Sequence, residues 1–384
     1  MVQTNPPSGL TRMPNRILLL LLSVGLFGTR PVYGQIGGTA TDMFLQLPVS
    51  ARSAALGGYA ISARDGDLGA AAVNPSFLDS TVSNQLLLTY IPYYTGINYS
   101  YASYAQTIGT LGTFDAGIKY IDYGTFTQAD QAGNITGSFG ASEILFNLGY
   151  GRTVLDSTIS VGANIKFASS RLMQWVSNAA AVDLAGSYVS PNKRFFAGLV
   201  IQNIGEPITN YIPGYPEALP FDVDGGIAMK LKHAPFRFNL TLQHLQRWDL
   251  TYLDPTDTAT INPLTGQAIN QTSAVGNFAD KLMRHIVPGV ELLAGRNFWL
   301  SFAYNYEMRK ELELTGAPGL VGLSAGFGMK IYNFQISYAM CEENLSGLTS
   351  TFTLCMSLGN FKPHKLEKPW KPPVAPAPPL LPVQ

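Results

Sequence analysis

Charge is what this chain has least of. Charged residues make up 13% of its 384, 25 acids balance 25 bases, and the formal net charge is zero, whereas a soluble domain carries ~25% charged residues. No basic excess exists to hold a nucleic acid, and that class of partner drops out. Cysteine is nearly absent. Cys341 and Cys355 suit an exported chain without making a disulfide framework. The four histidines, His233, His244, His285 and His364, are scattered. No nucleophile elbow, phosphate-cradling loop or His-x-x-x-His pair accompanies them. The sequence thus offers no catalytic residue, no cofactor site and no metal set, and it does not read as an enzyme. Past residue 35 no apolar run reaches the ~18 residues of a spanning helix.

The start of the chain is different. Arg12 and Arg16 precede an apolar run over 17–27 that is broken only by Ser23 and Gly25, and Val32-Tyr33-Gly34 follows with small or compact residues. That is the layout of an export signal. Residues 1–34 are set aside as that signal, starting at Met1 or at Met13. A retained anchor is the alternative, although the run is shorter than the ~20 residues a spanning helix needs.

What the remainder has in abundance is glycine, tyrosine and phenylalanine, at 38, 19 and 20 residues, arranged with a period of two. Between 158 and 167, Ile159, Val161, Ala163, Ile165 and Phe167 alternate with Thr158, Ser160, Gly162, Asn164 and Lys166. A period of two places the two sets on opposite faces of a strand. The same alternation runs through Phe236 to Gln243 and through Tyr332 to Met340. It predicts fourteen strands near 85–93, 96–107, 110–122, 141–152, 157–169, 177–190, 193–203, 221–232, 235–246, 284–294, 296–308, 319–330, 332–341 and 347–358. Connections alternate between tight turns and long loops such as 123–140, 204–220, 247–283 and 309–318, the signature of a barrel crossing an outer membrane. A soluble β-sandwich is the competing reading, and the two-sided loop asymmetry counts against it.

In a barrel the greasy face meets lipid, with Tyr99, Tyr101, Tyr120, Tyr150, Tyr188, Tyr304 and Tyr306 as candidate girdle residues. The polar face becomes the lumen, carrying Asp115, Lys119, Lys166, Asp183, Asp222, Asp224, Lys230, Arg237, Glu291 and Lys330. That mixture of signs implies a paired, filled and largely polar interior. Strand parity also keeps Cys341 about eight residues, ~25 Å, from the level of Cys355, beyond the ~7 Å reach of a disulfide.

Residues 35–84 do not alternate. Arg64-Asp65-Gly66-Asp67 and Asn74-Pro75 are turn signals, and Asp65 and Asp67 read as turn formers rather than metal ligands. Two placements stand for this segment, a plug inside the barrel or a periplasmic extension. Residues 85–361 are the barrel, and 362–384 form a Pro-rich periplasmic tail. In the 247–283 loop, Trp248, Asp249 and Tyr252 are candidates for binding a surface partner. Trp248 and Tyr252 equally suit the membrane interface.

The stretch Phe44-Leu45-Gln46-Leu47-Pro48-Val49-Ser50-Ala51-Arg52, followed by Ala54-Ala55-Leu56-Gly57-Gly58, Arg64-Asp65-Gly66-Asp67-Leu68 and Asn74-Pro75, resembles the N-terminal region of the PorV/PorQ group of outer-membrane proteins. Leu231-Lys232-His233-Ala234-Pro235-Phe236-Arg237-Phe238 and Trp248-Asp249-Leu250-Thr251-Tyr252 resemble the PorQ-like branch. The likeness covers about Gly37 to Leu358 and omits the Pro-rich tail. It implies a fourteen-stranded barrel related to the long-chain fatty-acid transporter family, with the N-terminal segment as a hatch. It also implies a role in type IX protein secretion, in the cell-surface attachment complex that links cargo to lipopolysaccharide. There the barrel would hold a PorZ-like surface protein beside a PorU-like sortase and a PorV-like barrel, in the outer membrane of a Gram-negative bacterium with its loops at the cell surface. The rival expectation is an outer-membrane transporter for hydrophobic small molecules such as long-chain fatty acids. A continuous apolar path through the lumen would favour the rival.

Overall fold

The computed structural model describes residues 40–155, 158–215, 217–251, 274–295, 297–312, 320–344 and 347–360. The expected export signal, the expected Pro-rich periplasmic tail and Tyr252 lie outside these residues. Fourteen strands follow one another: β1 (Gln85–Pro92), β2 (Asn98–Ile108), β3 (Gly112–Ala129), β4 (Ile135–Leu155), β5 (Ile159–Leu172), β6 (Trp175–Val189) and β7 (Phe195–Thr209). The second half comprises β8 (Asp222–Lys230), β9 (Phe236–Leu242), β10 (Ile286–Ala294), β11 (Phe298–Tyr304), β12 (Leu323–Ile331), β13 (Phe334–Asn344) and β14 (Gly347–Ser357). Each strand pairs antiparallel with its neighbours in sequence. The barrel closes where β1 meets β14, Gln85 opposite Ser357 and Tyr90 opposite Phe352.

Which face is buried decides between membrane barrel and sandwich. On β5, Ile165 is 64% exposed while its neighbours Asn164 and Lys166 are 1% and 7% exposed. The apolar face points out and the polar face in, the reverse of a soluble sheet and the arrangement that lipid demands. The same inversion holds on β9, where Phe236 and Phe238 are exposed and Arg237 is buried. The chain is therefore an outer-membrane type of barrel.

Two details of the wall differ from the sequence reading. Tyr104, Tyr120 and Tyr188 are exposed, but Tyr99 and Tyr101 are buried. Strand β2 carries tyrosine on both faces, so aromaticity alone does not tell which face is outward. The Tyr99 hydroxyl donates inward to the Pro48 carbonyl at 2.8 Å. Residues 123–140, expected as a loop, instead continue β3 and β4 as a ribbon, with Thr125 opposite Gly140 and Ala129 opposite Ile135. Apolar residues are few along this ribbon, where Phe126 stacks on Phe139 with ring centres 5.3 Å apart, and the long alternating runs of the wall are missing.

Residues 40–84 lie inside the barrel as a plug. Short helices α1 (Ala51–Ala55) and α2 (Leu68–Val73) are joined by turns that the sequence caps itself. The Ser50 side chain accepts from Ser53 N, Asp67 from Gly69 N and Asn74 from Ser76 N, each filling an otherwise orphan donor. Glycines in the wall make the space. A Cβ at Gly162 would sit 2.3 Å from the Pro75 carbonyl, and one at Gly198 would sit 2.3 Å from the Ile61 carbonyl. Cys341 and Cys355 are buried and not joined in a disulfide. Cys355 faces Gln335, six positions along β13 from Cys341, consistent with the parity argument.

Candidate functional site in the plugged lumen

The plug is fastened to the wall by a charge network that is buried at Arg52, Arg237 and Glu291 and partly open at Asp65, whose side chain is 34% exposed. Arg52 of α1 clasps Asp65 through both terminal nitrogens, at 2.6 and 2.7 Å, and reaches Asp67 at 3.2 Å. Its other edge meets Glu291 of β10 at 3.0 and 3.2 Å. Arg237 of β9 binds the second oxygen of Glu291 at 2.5 Å and Asp65 at 3.0 Å. Asn239 and Ser301 donate to Glu291 at 2.9 and 3.3 Å. Burial alone would push the Asp65 carboxyl up, but the Arg52 and Arg237 guanidiniums outweigh it and hold the group well below the usual carboxylate range. Bidentate pairing of this kind fixes geometry as well as charge.

A second clamp grips residues 44–51. The Lys119 ammonium of β3 is 1% exposed and donates to the carbonyls of Phe44, Leu45 and Leu47 at 2.9, 3.4 and 3.1 Å. Thr89 of β1 donates to the Val49 carbonyl at 2.9 Å, and Ala51 N donates to the Thr353 hydroxyl of β14 at 2.8 Å. Beside this clamp a cavity of about 40 Å³ remains, bordered by Leu45, Leu47, Val49, Tyr101 and Leu145. It has room for a few waters, far below the ~300 Å³ of a small-molecule site.

The interior holds polar and apolar side chains in comparable measure, where the wall residues alone imply a largely polar one. Plug side chains complete an apolar lane with one side of the barrel. It runs from Ile91, Tyr99 and Ile121 at the long-loop end, past Phe44, Leu45 and Leu145, to Leu87, Leu78, Val82 and Ala105 at the short-turn end. The sequence of the wall could not disclose this, because Phe44, Leu45, Leu78 and Val82 come from a segment that does not alternate.

On the opposite side, near the long-loop end, an acid–histidine cluster is buried. His244 Nδ1 lies 2.9 Å from Asp222, and Nε2 lies 3.5 Å from Glu307 in α4 (Tyr306–Glu311). Asp224 accepts from His244 N at 3.2 Å and from Gln202 at 3.0 Å. Burial would lower the His244 pKa, but the hydrogen bond and charge of Asp222, with Glu307 and Asp224 behind, raise it to about 9. Burial raises Glu307 to about 7 against the pull of His244. Ligand atoms of Asp222, Asp224 and His244 lie within 4.8 Å of one another. That donor set would suit a divalent cation, yet each member is already engaged by a neighbour. The sequence reading missed this cluster, because strand pairing brings together positions 222, 244 and 307.

Asp42, at the start of the plug, has both carboxylate oxygens buried without a hydrogen-bond partner. Its pKa is raised to about 6 by burial, then by the charges of Glu143 and Glu217.

Among the residues singled out from sequence, Arg64 pairs with Asp79 at 2.8 Å and donates to Thr153 of β4 at 3.2 Å. Asp65 and Asp67 join the Arg52 network, and Asn74 and Pro75 shape the turn cradled by Gly162. Trp248 is exposed, lies tilted against Phe278 and stacks on His285, with ring centres 5.5 and 5.6 Å apart. Asp249 pairs with Lys281 at 2.6 Å, which holds its carboxyl down at about 2.

No family model matches the chain, and no curated protein matches it. Solved structures do resemble it. A deletion mutant of the TodX monoaromatic hydrocarbon channel is 13% identical over 81% of this chain and 97% of that one, with a TM-score of 0.44. A Pseudomonas aeruginosa FadL homologue is 10% identical over 81% and 98%, with a TM-score of 0.42. CdiB from Acinetobacter baumannii is 10% identical over 71% and 59%, with a TM-score of 0.33. Likeness at this level carries no functional argument. The fold assignment rests on the chain's own strand pairing and inverted burial.

Proposed function

We propose that the chain passes apolar small molecules across the outer membrane, with residues 40–84 as the moving part of the passage. The observation that supports this is the apolar lane shared by plug and wall. A shift of the 44–51 clamp would open it without disturbing any strand. The Arg52 network on the other side would act as the fixed pivot, and the long-loop end would face outward.

The test is flux of a long-chain fatty acid and of an aromatic hydrocarbon into vesicles containing the purified barrel. A variant carrying Ala51→Cys and Thr353→Cys, with Cys341 and Cys355 replaced by serine, locks the clamp on oxidation. Transport predicts flux that stops on oxidation and returns on reduction. Absence of flux in the unlocked protein overturns the reading.

Closure of the lumen favours a second reading, in which the barrel is a passive base for a surface assembly. In that reading a PorZ-like protein of type IX secretion, with PorU-like and PorV-like components, docks on the external loops near Trp248, Asp249 and Tyr252. Pull-down of the tagged protein from gently solubilised outer membranes separates the two. Recovery of a large surface protein, lost when 247–283 is shortened, supports docking, and a lone barrel carrying lipid supports passage.

A further inference from the structure

Helix α3 (Ala274–Arg284) stands at the long-loop end and runs directly into β10. Its polarity is inverted. Val275, Phe278, Leu282 and Met283 are 78%, 56%, 38% and 40% exposed, and the first three share one helical face by their spacing of three and four. Asp280 and Arg284 lie on the opposite face, Lys281 flanks it, and all three are bound by protein groups. Asp280 accepts from the Tyr306 hydroxyl at 2.8 Å and from Arg284 at 2.9 Å. Arg284 also donates to the Leu250 carbonyl at 3.3 Å, and Lys281 is taken by Asp249 at 2.6 Å. A helix bathed in water would show the reverse pattern.

The same inversion marks the barrel wall, and the two surfaces are continuous. Two residues after α3 ends, Ile286 opens β10 opposite Leu242 of β9, whose outward residues Phe236 and Phe238 are exposed. Above them, Trp248 lies against Phe278 and adds a 51% exposed indole. Apolar residues thus continue from the bilayer-facing strands onto the helix, ending in the amphipathic ring favoured at a membrane surface.

We propose that α3 and Trp248 form an interfacial anchor that lies in the leaflet at the long-loop end, its Val275, Phe278 and Leu282 face seated among acyl chains. Both basic side chains of the helix are spent on internal partners, so the contact depends on burial of apolar area rather than on attraction to anionic headgroups. The anchor would hold the base of the long loop at a fixed height whether or not the lumen conducts.

The test uses the full chain in phosphatidylcholine vesicles whose acyl chains are brominated either near the headgroup or near the chain end. Trp248 emission is isolated as the difference between the natural protein and Trp248→Phe. Lipid seating predicts about twofold stronger quenching by headgroup-proximal bromine, little effect of salt, and weak quenching by aqueous iodide. Phe278→Glu should abolish the lipid quenching while Phe278→Leu retains it, with heat-modifiable migration confirming that both barrels fold. Strong iodide quenching without bromine quenching would overturn the proposal. Protection from both agents would overturn it equally, by showing that a second copy or another part of the chain covers the face.

Discussion

Arg52 of the plug and Glu291 of the wall meet at 3.0 Å with side chains 4% and 0% exposed. Removing one partner of a buried, hydrogen-bonded pair costs about 3–5 kcal/mol, because the other charge is left stranded. Glu291→Gln leaves Arg52 and Arg237 to share Asp65. We expect a loss of about 3 kcal/mol in denaturant unfolding and new trypsin cleavage after Arg52 or Arg64, with the barrel retained. Unchanged protease resistance would show that the Lys119 clamp alone holds the plug.

Asp42→Asn should stabilise. Asp42 has φ 55, a region that asparagine tolerates, and a buried carboxylate with no partner. Its folded pKa of about 6 lies above the unfolded value of ~3.9, so the natural protein loses stability as pH rises between the two. The variant should melt higher at pH ~8, with a gain on the order of 1 kcal/mol that vanishes near pH ~4.

For His244 the sign works in a different window. Its pKa rises to about 9 in the folded chain from ~6.5 unfolded. Its contribution is complete below ~6.5 and lost as pH climbs through about 9, since the folded state there binds the extra proton. Protection factors of the α4 amides, whose Glu307 faces the imidazole, taken relative to intrinsic exchange at each pH, should fall between pH ~7 and ~9 in the natural protein and stay level in His244→Gln.

Gly162→Ala tests the cradle. The added methyl would meet the Pro75 backbone at 2.3 Å, too close for side-chain adjustment to relieve, so the 74–77 turn must shift. We expect a loss of about 1–3 kcal/mol, with increased proteolysis of the plug. Gly186→Ala, which meets nothing within 4 Å, should be silent.

On the outer wall, Ile165→Lys places a charge in the lipid-facing band, at a cost of about 2–4 kcal/mol near the bilayer midplane. Slower folding into vesicles and a lower denaturation midpoint would register it. The same residue in a sandwich core would be buried in protein and its loss would leave a cavity.

The barrel was legible because lipid imposes one rule on every strand. Ile159 to Phe167 or Phe236 to Gln243 reveal it from spacing alone, and all fourteen predicted strands overlap observed ones. Legibility failed where that rule relaxes. The β3–β4 ribbon beyond Asp122 carries few apolar residues, Tyr99 and Tyr101 mimic a girdle while serving the plug, and α3 arises inside what reads as an irregular loop. The lumen was half legible: Arg237, Glu291 and Lys119 fall on the inward face by parity. Their partners Arg52, Asp65 and the Phe44 carbonyl come from a segment without period, so only folding brings them together.

Where the chain's first and last strands join, the Thr89 and Thr353 hydroxyls lie 2.9 Å apart, and both also touch the plug, at the Val49 carbonyl and Ala51 N. The β1–β14 seam joins the strands farthest apart in sequence. The plug is stitched to both sides of that joint, so its two hydrogen bonds tie together the ends of the cylinder where no short turn does. A barrel with its plug displaced would lose those ties along the one joint that chain connectivity does not reinforce.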